Sequence, residues 1–156
     1  MSEKARIDPR GPRFGAGITA ILLLVVIGLD LGGATLAALI LFGAITLLFA
    51  WGAFAGIGRH PYGLLFKKLV RPRLKAPTEL ENAAPPTFAQ GVGFVITALG
   101  LVLTLLGLTL ALPIAAGAAF IAAFLNSVFG YCLGCQIYLL LVRLGVIGRR
   151  GSAAAA

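Results

Sequence analysis

Four stretches of this chain carry no formally charged side chain: 18–29, 31–54, 91–112 and 114–142. A helix needs about 20 apolar residues at about 1.5 Å each to cross roughly 30 Å of hydrocarbon. Three of the stretches reach that length, and the first is shorter, expected to begin at Phe14 beside a basic tail. With 60% apolar and only 12% charged residues, against about 25% charged in a soluble domain, the chain reads as an all-α integral membrane protein with four transmembrane helices. The expected spans are about 14–29, 31–54, 91–112 and 114–142, with a loop over 55–90, in a single membrane domain covering 1–150. The alternative of a secretory signal over 10–34 is disfavoured, because Asp30 interrupts its apolar middle and no small-x-small cleavage site follows. The last six residues, 151–156, read as an appended linker.

Charge placement sets the topology. The 13 Lys and Arg residues fall in the N-terminal tail (Lys4, Arg6, Arg10, Arg13), the central loop (Arg59, Lys67, Lys68, Arg71, Arg73, Lys75) and the C-terminal end (Arg143, Arg149, Arg150). The connections near Asp30 and Pro113 carry none. The positive-inside rule then predicts a multi-pass protein of the cell inner membrane with both termini cytoplasmic. The net charge of +8 is a topology signal, and no aromatic-interleaved basic motif points to nucleic acid.

Within the central loop, apolar residues 65, 66, 69 and 70 against Lys67, Lys68 and Arg71 predict a short amphipathic helix in the interface after the second span, stopped by Pro72. The two halves of the chain also match. At an offset of 74, Pro12, Phe14 and Gly17 fall on Pro86, Phe88 and Gly91, and Gly33, Thr35 and Gly56 fall on Gly107, Thr109 and Gly130. A tandem two-span repeat is expected. Because each half holds an even number of spans, the halves would share one orientation.

The segment Gly130-Tyr131-Cys132-Leu133-Gly134-Cys135-Gln136 holds both cysteines. On a helix, i and i+3 share a face, so the thiols can pair, exchange with a partner thiol or share a metal. The glycines would let the backbone break and begin a new helix whose N-terminus favours a thiolate. The offset sets the cysteines at the depth of Arg59 and His60, the cytoplasmic headgroup level, and a permanent disulfide is not expected there. Packing is the competing role: cysteines as small apolar residues, with Gly134 permitting close helix approach. Metal is not predicted, because structural zinc wants four ligands and the one further good ligand is His60. His60 itself reads as a structural or headgroup contact, or as a proton partner for a thiolate. Asp30 reads as a turn residue, with a proton or cation site as the alternative. Asn126, Ser127 and Gln136 read as interhelical hydrogen-bonding residues, or as a polar passage to the cysteines.

The segments DPRGPRFGAGITA, RHPYGLLFKKLVRPRL, PPTFAQGVGF and CLGCQIYLLL, in that order between Asp8 and Arg143, resemble the bacterial membrane family known as domain of unknown function 4395. One departure is Thr87, where the family's pattern would have arginine, which puts a lipid or loop contact in doubt. Members of the family resemble partners of thioredoxin-like and rhodanese-like proteins in actinobacteria. The resemblance therefore implies thiol or sulfur chemistry, carried here by Cys132 and Cys135.

Two functions from different classes follow. The first is a membrane thiol-disulfide or sulfur-relay protein whose Cys132 and Cys135 serve a soluble thioredoxin-like or rhodanese-like partner, with His60 as a candidate helper. Arg59, Lys67, Lys68, Arg71, Arg73 and Arg143 would meet lipid headgroups or dock that partner. The second is a non-catalytic subunit of a larger membrane complex or homo-oligomer, built on small residues in its spans. A small transporter is a weaker third reading, because four spans enclose little space. No cofactor is predicted, and a quinone between the halves has no sequence feature behind it.

Overall fold

The structure, a computed structural model, describes residues 5–147. Lys4, Arg149, Arg150 and the linker expected at 151–156 lie outside the described residues. Six α-helices follow one another: α1 (Arg10–Leu31), α2 (Thr35–Ala55), α3 (Pro61–Leu65), α4 (Ala84–Leu105), α5 (Ala111–Phe129) and α6 (Leu133–Arg143). Four of them, α1, α2, α4 and α5, are long and apolar enough to cross a membrane. The expected all-α, four-span architecture is the one the chain adopts.

Each long helix packs on two neighbours. Helix α1 lies against α2 and α5, and α4 lies against the same two, so the bundle is a ring in the order α1, α2, α4, α5. Its core holds Leu23 and Val26 from α1, Phe42 and Ile45 from α2, and Leu112 and Ala116 from α5, all nearly inaccessible. The large side chains left exposed, such as Ile21, Ile40, Val95 and Ile114, are those a bilayer would cover.

Span ends differ from the sequence reading where proline and glycine redirect the backbone. The third span starts at Ala84 rather than near 91, because Pro85 and Pro86 occupy a first turn in which a missing N–H costs nothing. It ends at Leu105 rather than 112, and Pro113 lies in the first turn of α5 rather than in the connection. The largest difference is at the fourth span, expected to run to 142. Helix α5 stops at Phe129, Gly130 takes the left-handed conformation at φ 66°, and the remaining apolar residues form the separate helix α6. Run length alone could not separate these two helices.

The offset of 74 reappears in the coordinates. Arg10–Leu31 falls on Ala84–Leu105, and α2 and α5 end at equivalent residues, Ala55 and Phe129. Both turns between paired helices are closed by the same pattern. In the first, Gly33 N–H donates to Asp30 O and Ala34 N–H to Leu29 O; in the second, Gly107 donates to Thr104 and Leu108 to Leu103. Each is a helix end with glycine at positive φ, 84° and 103°, a conformation that costs other residues free energy. Asp30 is thus a residue of this turn.

At the opposite, basic end, α3 continues through a π-helical turn (Phe66–Val70) and a 3-10 turn (Arg71–Arg73). This helical segment lies where a short helix after span two is expected. Phe66 turns inward over Gly11 and against Phe14, ring centroids 5.8 Å apart, while Leu64, Leu65, Leu69 and both lysines stay exposed. Helix α6 crosses the start of α4 in a similar way, with Phe88 and Tyr138 rings 5.6 Å apart. Short strands β1 (Arg6–Ile7) and β2 (Glu81–Asn82) pair antiparallel. An Asp8–Arg10 ion pair of 2.7 Å and a bond from Arg10 to Lys75 O tie the N-terminal segment to the central loop. The Arg10 guanidinium holds the Asp8 carboxyl below the usual carboxylate range.

Helix contact in lipid depends on small residues rather than on a hydrophobic drive, and this bundle offers a direct test. A methyl added at Gly100 would collide with the Ala115 methyl, whereas one added at Gly117 meets nothing within 4 Å. Gly100→Ala is expected to lose about 1–3 kcal/mol, the usual range for overpacking. Gly117→Ala should be neutral or gain up to about 1 kcal/mol. Thermal unfolding of both variants in one detergent, followed by circular dichroism, decides; equal melting temperatures would contradict the α4–α5 packing.

Candidate functional site

The thiol site is made by the break between α5 and α6. Gly130 ends α5 with its N–H on Asn126 O, and Tyr131 N–H folds back to Leu125 O. The chain then extends through Cys132 (φ −88°, ψ 103°), which caps α6. Its Sγ accepts the N–H of Cys135 at 3.3 Å, the role a Ser or Asp oxygen usually plays at a helix start. Cys132 and Cys135 are joined in a disulfide, their Cα atoms 5.2 Å apart, inside the span such a bond requires. The sequence reading expects no permanent disulfide at cytoplasmic depth; the structure shows the bonded form of a pair whose members are both half-buried.

Gly134, between the two cysteines, is buried, and a Cβ there would meet the Cα and Cβ of Ala89 at 2.6 and 2.5 Å. The close approach of α6 to α4 therefore rests on Gly134, with Tyr138 against Phe88 one turn further on. One residue escaped the sequence reading, which took it only as a topology charge. The guanidinium of Arg13 lies over Gly130, where any side chain would collide with it. That places a cation over the residue two before Cys132, at the carbonyl end of α5. The signal available in the sequence was the glycine itself, opposite Gly56 at the offset of 74.

His60 is not brought to the cysteines. It is 3% exposed, its Nε2 lies 3.1 Å from Leu48 O, and its Nδ1 accepts the N–H of Tyr62 at 3.2 Å. Only the neutral ring protonated on Nε2 satisfies both contacts. His60 thereby caps α3 and pins it to α2, and α3 packs on α1 while α6 packs on α4. Burial pushes the His60 pKa down, partly offset by the bond to Leu48. Asn126, Ser127 and Gln136 make no side-chain hydrogen bond among the described residues; Ser127 Oγ instead packs close to Gly17. Arg59, Lys67, Lys68, Arg71, Arg73 and Arg143 are all exposed. The one ion pair among the described residues is Asp8–Arg10, so these six cations face outward without a carboxylate partner.

A family model described as "Domain of unknown function (DUF4395)" matches residues 7–143. No curated protein and no solved structure matches the chain. The chain belongs to the DUF4395 family.

Because the folded-state pKa of His60 lies below the ordinary value near 6.5, its contribution to stability is present above that value. It is lost as pH falls through the folded pKa, since the buried ring must then charge. The melting temperature in detergent should therefore fall between pH 8 and pH 5. His60→Asn keeps an acceptor for Tyr62 N–H and should flatten this pH dependence. His60→Ala should cost about 1–3 kcal/mol at pH 8 by leaving buried polar groups unpaired. A melting curve for His60→Asn as pH-dependent as the wild type's would remove His60 as the source.

Proposed function

We propose that this member of the DUF4395 family is a membrane thiol-disulfide exchange protein of the inner membrane, working at the basic, cytoplasmic end of its four-span bundle. The observation that carries the reading is the Cys132–Cys135 bond at the start of α6, half-buried at the end that holds the cations. Cys132 is the attacking thiol. Negative charge on its Sγ would meet the Cys135 N–H and the N-terminus of α6, with the Arg13 guanidinium over Gly130 two residues before it. Cys135, within the first turn of α6, is the resolving thiol.

In the reducing direction, the Cys132 thiolate attacks one sulfur of a partner disulfide, forming a mixed disulfide and releasing one partner thiolate. The Cys135 thiolate then attacks Cys132 Sγ and releases the second. Two electrons pass from the Cys132–Cys135 dithiol to the partner, and the steps run backwards when the partner is the stronger reductant. In a reducing cytosol the bond is one state of a cycle. A soluble thioredoxin-like or rhodanese-like protein suits this surface, since Lys67, Lys68, Arg71 and Arg73 present positive charge to an acidic face. The two-span halves, alike at the offset of 74, are proposed to be copies of one unit, with the helical segment at 61–73 lying in the interface as α6 does. His60 belongs to the scaffold rather than to the exchange.

Cys135→Ser should accumulate a covalent adduct with a thioredoxin-fold partner through Cys132, visible on non-reducing gels and identifiable by mass. Cys132→Ser should form none. Each should lower exchange by at least about 100-fold, as deletion of a nucleophile or its resolving group does, with unchanged melting temperature. Full exchange in both variants sinks the proposal. Loss of stability with no adduct in either puts a structural subunit of a larger membrane complex in its place.

A further inference from the structure

Among the positions at which the two halves differ at the offset of 74 are Arg13 and Thr87. On the Arg13 side the guanidinium covers Gly130, at the end of α5. On the Thr87 side the short hydroxyl donates to Ala83 O at 2.7 Å and accepts the N–H of Ile57 at 3.3 Å. Gly56, opposite Gly130, is more extended (φ 86°, ψ 149° against 66° and 18°), and no side chain fills the space beside it. A groove of about 1120 Å³ opens there, between the end of α2 and the start of α4. Small-molecule sites run to roughly 300–1,000 Å³, so the space is ample.

The groove is graded from polar to apolar. Its mouth holds Arg59 and Asn82, and its wall runs along α4 through Val92, Val95 and Ile96. Arg59 has no carboxylate within ion-pair distance among the described residues. The Asn82 Oδ1 accepts the N–H of Ala84, which leaves its NH₂ as a donor. From the start of α4 to Val95 the helix rises about 16 Å, about half of the roughly 30 Å hydrocarbon layer and thus the depth of one leaflet.

We propose that this groove is a binding site for one anionic phospholipid. Its phosphate sits at Arg59 and the Asn82 amide, and one acyl chain lies along Val92, Val95 and Ile96. Positive charge at the mouth, an apolar wall behind it and a length of one leaflet match that molecule. Thr87 makes the site asymmetric, because the corresponding place in the other half is taken by Arg13. The site is independent of the thiol pair.

The test is native mass spectrometry of the delipidated full chain titrated with dioleoylphosphatidylglycerol, and separately with dioleoylphosphatidylcholine. The expected result is saturable binding of one phosphatidylglycerol per chain, tighter than phosphatidylcholine. Arg59→Gln should weaken it about tenfold, the effect of removing one charge-assisted hydrogen bond. Val95→Trp should abolish it by filling the apolar wall, and Thr87→Arg should do so by filling the mouth. Helicity by circular dichroism confirms that each variant is folded; should Thr87→Arg disturb the turn at Ile57, Val95→Trp still decides. Non-saturable binding, or binding that Val95→Trp leaves intact, overturns the proposal. So does an isoprenoid quinone that co-purifies and that phosphatidylglycerol does not displace.

Discussion

Hydrocarbon offers a peptide group no hydrogen-bond partner, and the rest of this structure follows from that. Every stretch able to cross a membrane is helical throughout, so its backbone is satisfied within itself. The hydroxyls obey the same constraint: Thr46, Thr97 and Thr104 donate to the carbonyls of Phe42, Gly93 and Gly100 one turn back in their own helices. Irregular backbone is then confined to the two ends, and the basic end receives most of it: the 3-10 and π turns, two short strands and the break before α6. Residues able to do chemistry collect there because the interior cannot hold an open, half-satisfied site.

With no hydrophobic drive between helices in lipid, contact depends on how closely backbones approach. Gly17 in α1 packs against Ser127 in α5, and Gly91 in α4 faces Ala53 in α2. These two pairs are related by the offset of 74 in both members. The α1–α5 and α2–α4 interfaces therefore use equivalent surfaces, and the ring closes because each helix of one half fits the opposite half. One departure separates a filled position at Arg13 from a groove at Thr87.

Span number and the basic end were legible because they rest on composition and charge, which lipid filters strictly. Span ends were less so. Pro85 and Pro86 look like linker residues in a sequence, yet a first helical turn accepts them, and α4 begins well before its apolar run. The residues from 114 to 142 look like one long span, since apolarity does not distinguish a crossing helix from one that folds across the end of the bundle. Gly130 was the available sign of a break. The contacts of His60 and Arg13 were not legible, because they depend on which helix packs on which. Charge patterning placed both at the right end; only tertiary contacts put His60 into the α2–α3 scaffold and Arg13 over Gly130.

In the cysteine segment, the helix contact and the disulfide are carried by different residues. Had the cysteines been packing residues, they would be expected to occupy the contact between α6 and α4. That contact is made by Gly134, buried against Ala89, and by Tyr138 against Phe88. Cys132 is instead spent on the helix cap and Cys135 on the turn above it, each half-buried. A serine at position 132 would cap a helix at least as well; what a thiol adds there is the ability to form and break a bond with Cys135. Glycine between the two cysteines lets α6 sit down on α4 while the sulfur pair stays half-buried at the basic end of the bundle.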